Sequence, residues 1–273
     1  MNLMHPLQRW ALRQFTRRAR PYLKSYGLLR TVKYKNALVG VPAAKRVLVL
    51  APHMDDEVIG CGGAICQHVR GGAEVQVIFL TDGRLGSREL LSLSGQQRRQ
   101  REMAVAATRR QEAECALDVL GVQHRAYWDA AEMQLESDPA LPGKLAQALQ
   151  SFHPDLVYLP FFLEEHADHR AVSLILAQAV RQGTHNFDCM GYEVWTTLFP
   201  NYLIEISDVL ETKKRALAEY KSQLADSHYM HTALALCAYR SSALLDTGGY
   251  AEAFFAASVK DYLALFHEFC EFK

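Results

Sequence analysis

Four short runs rich in strand-forming residues, "RVLVLA" from Arg46, "EVQVIFL" from Glu74, "HRAYWD" from His124 and "DLVYLP" from Asp155, each give way to a stretch with helical spacing. A chain that alternates this way builds a parallel sheet covered on both faces, because every helix must bury its apolar side against the strands it joins. The longest helix is predicted over Gln96–Leu120, with Gly121 as its stop. "PALPGKLAQALQSF" reads as a helix with proline at its start. Further strands are expected in "MGYEVWTTL" and "NYLIEIS", with helices dominating from Asp208 onward. The expected fold is α/β: a Rossmann-like, doubly wound, mostly parallel sheet with helices on both faces. Counted from the Arg46 strand, its order is expected to be 3-2-1-4-5.

The chain divides by charge. Of its thirty Lys and Arg residues, ten lie within residues 1–45, which contain no Asp or Glu. Residues 1–45 therefore read as a basic N-terminal extension, and residues 46–273 as one catalytic domain without repeats or low-complexity linkers. Within the extension Leu7, Trp10, Ala11 and Phe15 recur at helical spacing among arginines. Such a helix either packs on the domain or a sister subunit in a homo-oligomer, or docks electrostatically on an anionic membrane surface or a phosphorylated substrate. No nucleic-acid partner is expected. The six cysteines form no Cys-x-x-Cys pair and read as reduced thiols. No apolar run approaches the ~20 residues of a membrane span, and the N-terminus lacks a secretory h-region. The expected location is cytoplasmic, with peripheral membrane contact through the arm as a second reading.

The chemistry is concentrated where strands end. "APHMDDE" follows the Arg46 strand, and "EEHADHRAV" lies a few residues past the Asp155 strand. In the expected strand order these two strands are neighbours, and ligands of such sheets bind beyond their carboxyl ends. His53, Asp55 and Asp56 should then face His166, Asp168 and His169 across one crevice. Helix capping alone accounts poorly for two such clusters converging. A catalytic zinc takes three nitrogen or oxygen ligands and keeps a fourth place for water, and His53, Asp56 and His169 make such a set. Asp55 is then placed to serve as base and His166 as oxyanion donor, with Asp168 orienting His166 and keeping it protonated. Glu57 is left with the ordinary part of an acid at a helix start. Zn2+ is the expected cofactor, and Fe2+ suits the same donors.

"PHMDDE" and "HADH" resemble the Pro-His-x-Asp-Asp-Glu and His-x-Asp-His motifs of the LmbE-like, or PIG-L, zinc N-deacetylases, a likeness running from about Arg46 to Gln223. The resemblance implies a Rossmann-like fold and removal of the N-acetyl group from an N-acetylglucosamine-type amino sugar, free or carrier-linked. It also implies His53, Asp56 and His169 as metal ligands, Asp55 as general base and His166 as the transition-state histidine with Asp168 as its partner. "RRQEAECALDVLGV" matches the family's Arg-x-x-Glu helix, making Arg109 a sugar-binding residue, and Asp129 in "YWDAAEM" matches a second binding position. Ser222 and Gln223 match a Ser-Gln pair. Where some members carry tyrosine two residues before His-x-Asp-His, this chain carries Glu164.

Two alternatives stand beside this reading: an amidase acting on a non-acetyl amide of a sugar conjugate, and a non-catalytic glycan-binding protein on the same fold. A dinucleotide site is disfavoured, since Gly-x-Gly-x-x-Gly would need glycine where Ile65 stands. Glycines 60, 62 and 63 are expected to permit close helix–sheet packing instead. His228 and His231 read as surface or cleft lining, Tyr239 and Arg240 as candidate anion binders, and Trp195 as core, interface or sugar platform.

Overall fold

The computed structural model describes residues 37–181, 183, 185–245 and 248–270, so the amphipathic basic helix expected near the N-terminus lies outside the described residues. Eight strands form one sheet: β1 (Leu38–Val39), β2 (Arg46–Ala51), β3 (Glu74–Thr81), β4 (His124–Ala130), β5 (Leu156–Pro160), β6 (Asp188–Tyr192), β7 (Tyr202–Glu205) and β8 (Ala251–Ser258). Their spatial order is β1-β7-β8-β6-β5-β2-β3-β4. The five strands from β2 to β6 are parallel and carry the predicted 3-2-1-4-5 order. Helices α1 (Asp56–Arg70), α2 (Gly95–Leu120), α3 (Leu141–Phe152), α4 (Ala167–Ala179), α5 (Leu210–Glu219), α6 (Lys221–Asp226), α7 (Tyr229–Arg240) and α8 (Val259–Cys270) flank it.

Alternation within β2 shows how both faces are used. Val47, Val49 and Ala51 enter one buried cluster with residues of α1, α2, α5 and α7. Leu48 and Leu50 enter the other, against α3, α4 and α8. A strand buried on both sides needs an unbroken apolar run, and "VLVLA" supplies it. Gly121 closes α2 in the left-handed conformation, with φ 79°. The close helix–sheet packing expected of Gly60, Gly62 and Gly63 holds for Gly60, where a Cβ would stand 2.2 Å from the Tyr192 ring of β6. One on Gly63 would stand 2.6 Å from Ile206, just past β7, and one on Gly62 would meet Val58 of the same helix at 3.0 Å.

Helices do dominate after Asp208, from α5 to α8. One strand not expected there lies among them: "AEAFFAAS" forms β8 between β6 and β7, antiparallel to both. Its alanines have weak strand propensity, and two flanking strands that satisfy its backbone override it. β1 falls inside the stretch read as an extension and pairs with β7 at the sheet edge.

β8 also braces the helix that starts the site. Helix α1 breaks at Cys61, whose φ is −146°. The freed N–H groups of Gly63 and Ala64 donate to the two carboxylate oxygens of Glu252, both at 2.8 Å. Lys213 Nζ donates to the freed carbonyl of Ile59 at 2.9 Å and to Glu252 at 2.5 Å. Lys213 is fully buried and Glu252 is 3% exposed. Lys213→Met should destabilise the fold by about 3–5 kcal/mol, because the buried carboxylate keeps its desolvation cost and loses its counter-charge. Urea denaturation checks this; a loss below about 1 kcal/mol would mean the backbone donors alone satisfy Glu252. Among the described residues no helix is long and apolar enough to cross a membrane, and all six cysteines are free thiols.

Candidate metal centre

The loops leaving β2 and β5 meet at the carboxyl edge of the sheet. Thr81, the last residue of β3, pins the first loop by donating its N–H and its hydroxyl to the Pro52 carbonyl, at 3.0 and 2.8 Å. From there His53 Nδ1 lies 3.1 Å from Asp56 Oδ2. His169 Nε2, from the first turn of α4, stands 3.2 Å from the same Asp56 oxygen and 3.3 Å from His53 Nδ1. These three atoms form a nearly equilateral triangle inside the protein, since His53, Asp56 and His169 are 7%, 1% and 0% exposed.

The triangle matches what a cation requires. Bonds of about 2.0–2.1 Å in a tetrahedral zinc site place neighbouring ligand atoms about 3.3–3.4 Å apart. The protonation pattern points the same way. Burial works against a charged ring, yet the Asp168 and Asp56 carboxylates lift His53 to about 10. Burial likewise opposes charge on His169, and Asp56 and Glu164 raise it to about 9. Two rings around one carboxylate make a place that favours positive charge. His166 joins the cluster, its ring centroid 4.7 Å from His53 and 4.9 Å from His169; ring nitrogens of the three histidines lie within 4.8 Å of one another. A His-rich site able to hold a divalent cation is therefore present.

His166 caps α4, its Nδ1 accepting the Asp168 backbone N–H at 3.2 Å. Burial, then the neighbouring His53 and His169, lower this ring to about 4. The carboxylate of Asp168 was expected on His166 and points elsewhere. Its Oδ2 accepts the Met133 N–H at 2.8 Å and lies 3.2 Å from His53 Nε2. The loop after β4 supplies that N–H, a contact invisible in the spacing of "HADH".

Asp55 sits beside the triangle with φ 135°, a conformation that costs a non-glycine residue roughly 1–3 kcal/mol and persists only when the surroundings hold it. Glu57 provides that hold. Its Oε2 accepts the Asp55 N–H at 3.1 Å, and its Oε1 accepts the Tyr220 hydroxyl. Glu57 is fully buried, and burial pushes its carboxyl up to about 8. It does more than start a helix, contrary to the sequence reading. Burial also raises Asp55, to about 6, with Arg109 pulling down and Asp56 pushing up.

Of the two residues expected to bind sugar, Arg109 lies behind Asp55, away from solvent, and Asp129 lies at the surface. Arg109 is 3% exposed; its Nη2 lies 3.1 Å from Asp55 Oδ1 and donates to the Met54 carbonyl at 2.6 Å. It backs Asp55 instead of facing solvent. One helical turn on, Glu112 accepts the N–H and the hydroxyl of Ser222, both at 2.7 Å, and Gln223 donates to the Gly86 carbonyl at 2.9 Å. The Asp129 side chain is 54% exposed and pairs with Arg110 at 3.7 Å. The acid this loop delivers to the site is Glu132, whose Oε1 lies 3.8 Å from His53 Nε2 and whose Oε2 accepts the Leu85 N–H at 2.8 Å. Its only signal in the sequence was its place three residues after Asp129.

Asp55 opens onto a cleft of about 370 Å³ lined also by Leu85, Ser87, Arg88, Leu91, Trp195 and Tyr229. Trp195 is 52% exposed and meets Tyr229 edge to face. Arg240 offers no free charge to an anion, because Glu193 binds it through both oxygens, at 2.9 and 2.6 Å. His228 and His231 are exposed.

Residues 48–180 match the family described as "PIG-L: GlcNAc-PI de-N-acetylase". Diacetylchitobiose deacetylase of Thermococcus kodakarensis is 28% identical over 200 residues, covering 67% of this chain and 71% of that protein. The structure of N,N'-diacetylchitobiose deacetylase from Pyrococcus horikoshii superposes with a TM-score of 0.68 at 25% identity, over 80% of this chain and 86% of the other. The 4-carboxy-2-hydroxymuconate hydratase of Pseudomonas putida shares the fold at 20% identity, with a TM-score of 0.66 over 78% of this chain and 96% of the other.

Proposed function

We propose that this chain, which belongs to the broad PIG-L/LmbE-like deacetylase family, is a zinc enzyme that hydrolyses the acetamide of an N-acetylglucosamine-type sugar. The observation that carries the reading is the triangle of His53, Asp56 and His169 donor atoms next to Asp55. That the chain is a metal-dependent hydrolase of the deacetylase kind follows from its family and from this His-rich centre. The named sugar deacetylases it resembles support an amino-sugar substrate. Free thiols accord with the cytoplasmic location expected, and we take residues 46–273 as the catalytic unit.

In this reading His53, Asp56 and His169 hold the cation, which when bound polarises the amide carbonyl and lowers the pKa of water toward 7. Arg109 occupies Oδ1 of Asp55, leaving Oδ2 to take the proton from the attacking water. A carboxyl near 6 suits that task, since a base works best with a pKa close to the working pH. His166 receives an N–H at Nδ1, so its neutral ring carries the proton on Nε2. That N–H donates to the developing oxyanion; the ring acts as a neutral donor, not the protonated one first expected. The proton on Asp55 passes to the departing nitrogen as the C–N bond breaks, releasing acetate and the free amino sugar.

The test is acetate release from a panel of free, β-linked, nucleotide-linked and lipid-linked N-acetylglucosamine. Protein reloaded with zinc should release acetate from at least one member, and chelated protein from none. Binding of a sugar by zinc-loaded protein without any acetate release would favour a glycan-binding role and sink the proposal.

A further inference from the structure

We infer that Glu164 is a positioning residue that joins the ligand histidine His169 to the aromatic wall of the cleft; this rests on the metal role given to His169 above. Glu164 is 2% exposed and belongs to neither triangle nor catalytic pair, yet it is the most heavily bonded carboxylate near the site. Its Oε1 accepts three successive backbone N–H groups, from Val194 at 2.6 Å, Trp195 at 3.0 Å and Thr196 at 3.2 Å, and the Thr196 N–H is shared with Oε2, also at 3.2 Å. Consecutive N–H groups converging on one point form an anion-binding concavity, filled here by a side chain of the same protein. The fit is secured from the other side, where Thr196 Oγ1 accepts the Glu165 N–H at 2.9 Å and Arg170 donates to the Glu164 carbonyl at 2.9 Å.

The second oxygen faces the metal centre. Glu164 Oε2 lies 3.7 Å from His169 Nδ1, a buried nitrogen without a hydrogen-bond partner among the described residues. A histidine that binds a cation through Nε2 must carry its proton on Nδ1, and an acceptor for that N–H fixes both tautomer and ring orientation. Glu164 is the acceptor in reach. One buried carboxylate therefore sets the angle of a ligand ring with one oxygen and the position of Trp195 with the other. Trp195 projects into the cleft beside Asp55. Its indole offers a flat apolar face to a pyranose ring, at a distance from the metal fixed by the span of a single side chain.

The test uses full-length metal-free protein titrated with zinc by calorimetry. Glu164→Gln keeps the Oε1 acceptor for the three backbone donors but puts an amide N–H where Oε2 stands, toward His169 and against the shared Thr196 N–H. Zinc affinity should fall about 10–100-fold, the usual effect of losing an outer partner of a ligand histidine. In zinc-loaded wild type the imidazole ¹⁵N signals of His169 should report the Nδ1–H tautomer. Trp195→Ala should leave zinc affinity unchanged and raise KM with kcat held within about twofold. Glu164→Asp, which keeps the charge and withdraws it from His169, should also weaken zinc binding should the glutamine variant fold poorly. Zinc affinity within twofold of wild type in both Glu164 variants overturns the inference, as does the Nε2–H tautomer. Should His169→Ala also bind zinc normally, the ligand assignment itself is what fails.

Discussion

Asp55→Asn is expected to keep its metal and to lose between about 10²- and 10⁴-fold in kcat, the range a positioned general base contributes, or roughly 3–5 kcal/mol of barrier. Asparagine is the informative replacement. It tolerates positive φ better than most residues, and Asp55 sits at φ 135°. Its amide oxygen can still accept from Arg109, which approaches Asp55 Oδ1 at 3.1 Å, so the buried guanidinium is not orphaned. The proton-accepting capacity and the negative charge are removed, while the hydrogen-bond acceptor facing Arg109 stays. Metal content by atomic absorption and kcat from acetate release are the two measurements needed. Near wild-type turnover at full metal occupancy would take the role of base away from Asp55. Loss of metal together with turnover would mean that Asp55 acts through the centre's structure.

His169→Ala should show the opposite pattern. Its Nε2 is one corner of a triangle with sides of 3.1, 3.2 and 3.3 Å, and removing a corner leaves two donors for a cation that takes three from the protein. Zinc affinity should drop by more than the 10–100-fold that the loss of an outer partner brings. Turnover should follow occupancy and return in part with excess zinc. Equilibrium dialysis against a chelator of known strength measures the first effect, and a zinc titration of activity the second. An undiminished affinity would exclude His169 from the ligand set and bring forward His166, whose ring lies 4.7 Å from His53.

The donor triangle and the order of the five parallel strands were legible in the sequence because both follow from residue pattern and strand order. His53 and Asp56 are three residues apart on one turn, and the apolar runs announce strands that neighbour in a predictable sequence, which brings His169 to them across 116 residues. What escaped were the side-chain partners that no strand order specifies. Glu57 looked like a helix-start acid, since its contact with Tyr220 spans 163 residues. Arg109 looked like a sugar ligand, since only the packing of α2 against the β2 loop reveals that it faces Asp55. Asp168 was assigned to the nearer histidine, and the Met133 N–H drew its carboxylate to His53.

By itself the sequence determined the alternating architecture, the two strand ends that meet, and the chemical identity of the groups brought there. The reason is that periodicity and residue type are local properties of a chain. Tertiary structure decided which acid supports which base, that a strand from beyond Asp208 enters the middle of the sheet, and that Glu164 stands between His169 and Trp195. Those choices follow from the cost of burying a polar group without a partner, and a buried group takes its partner from whichever segment the fold brings within reach.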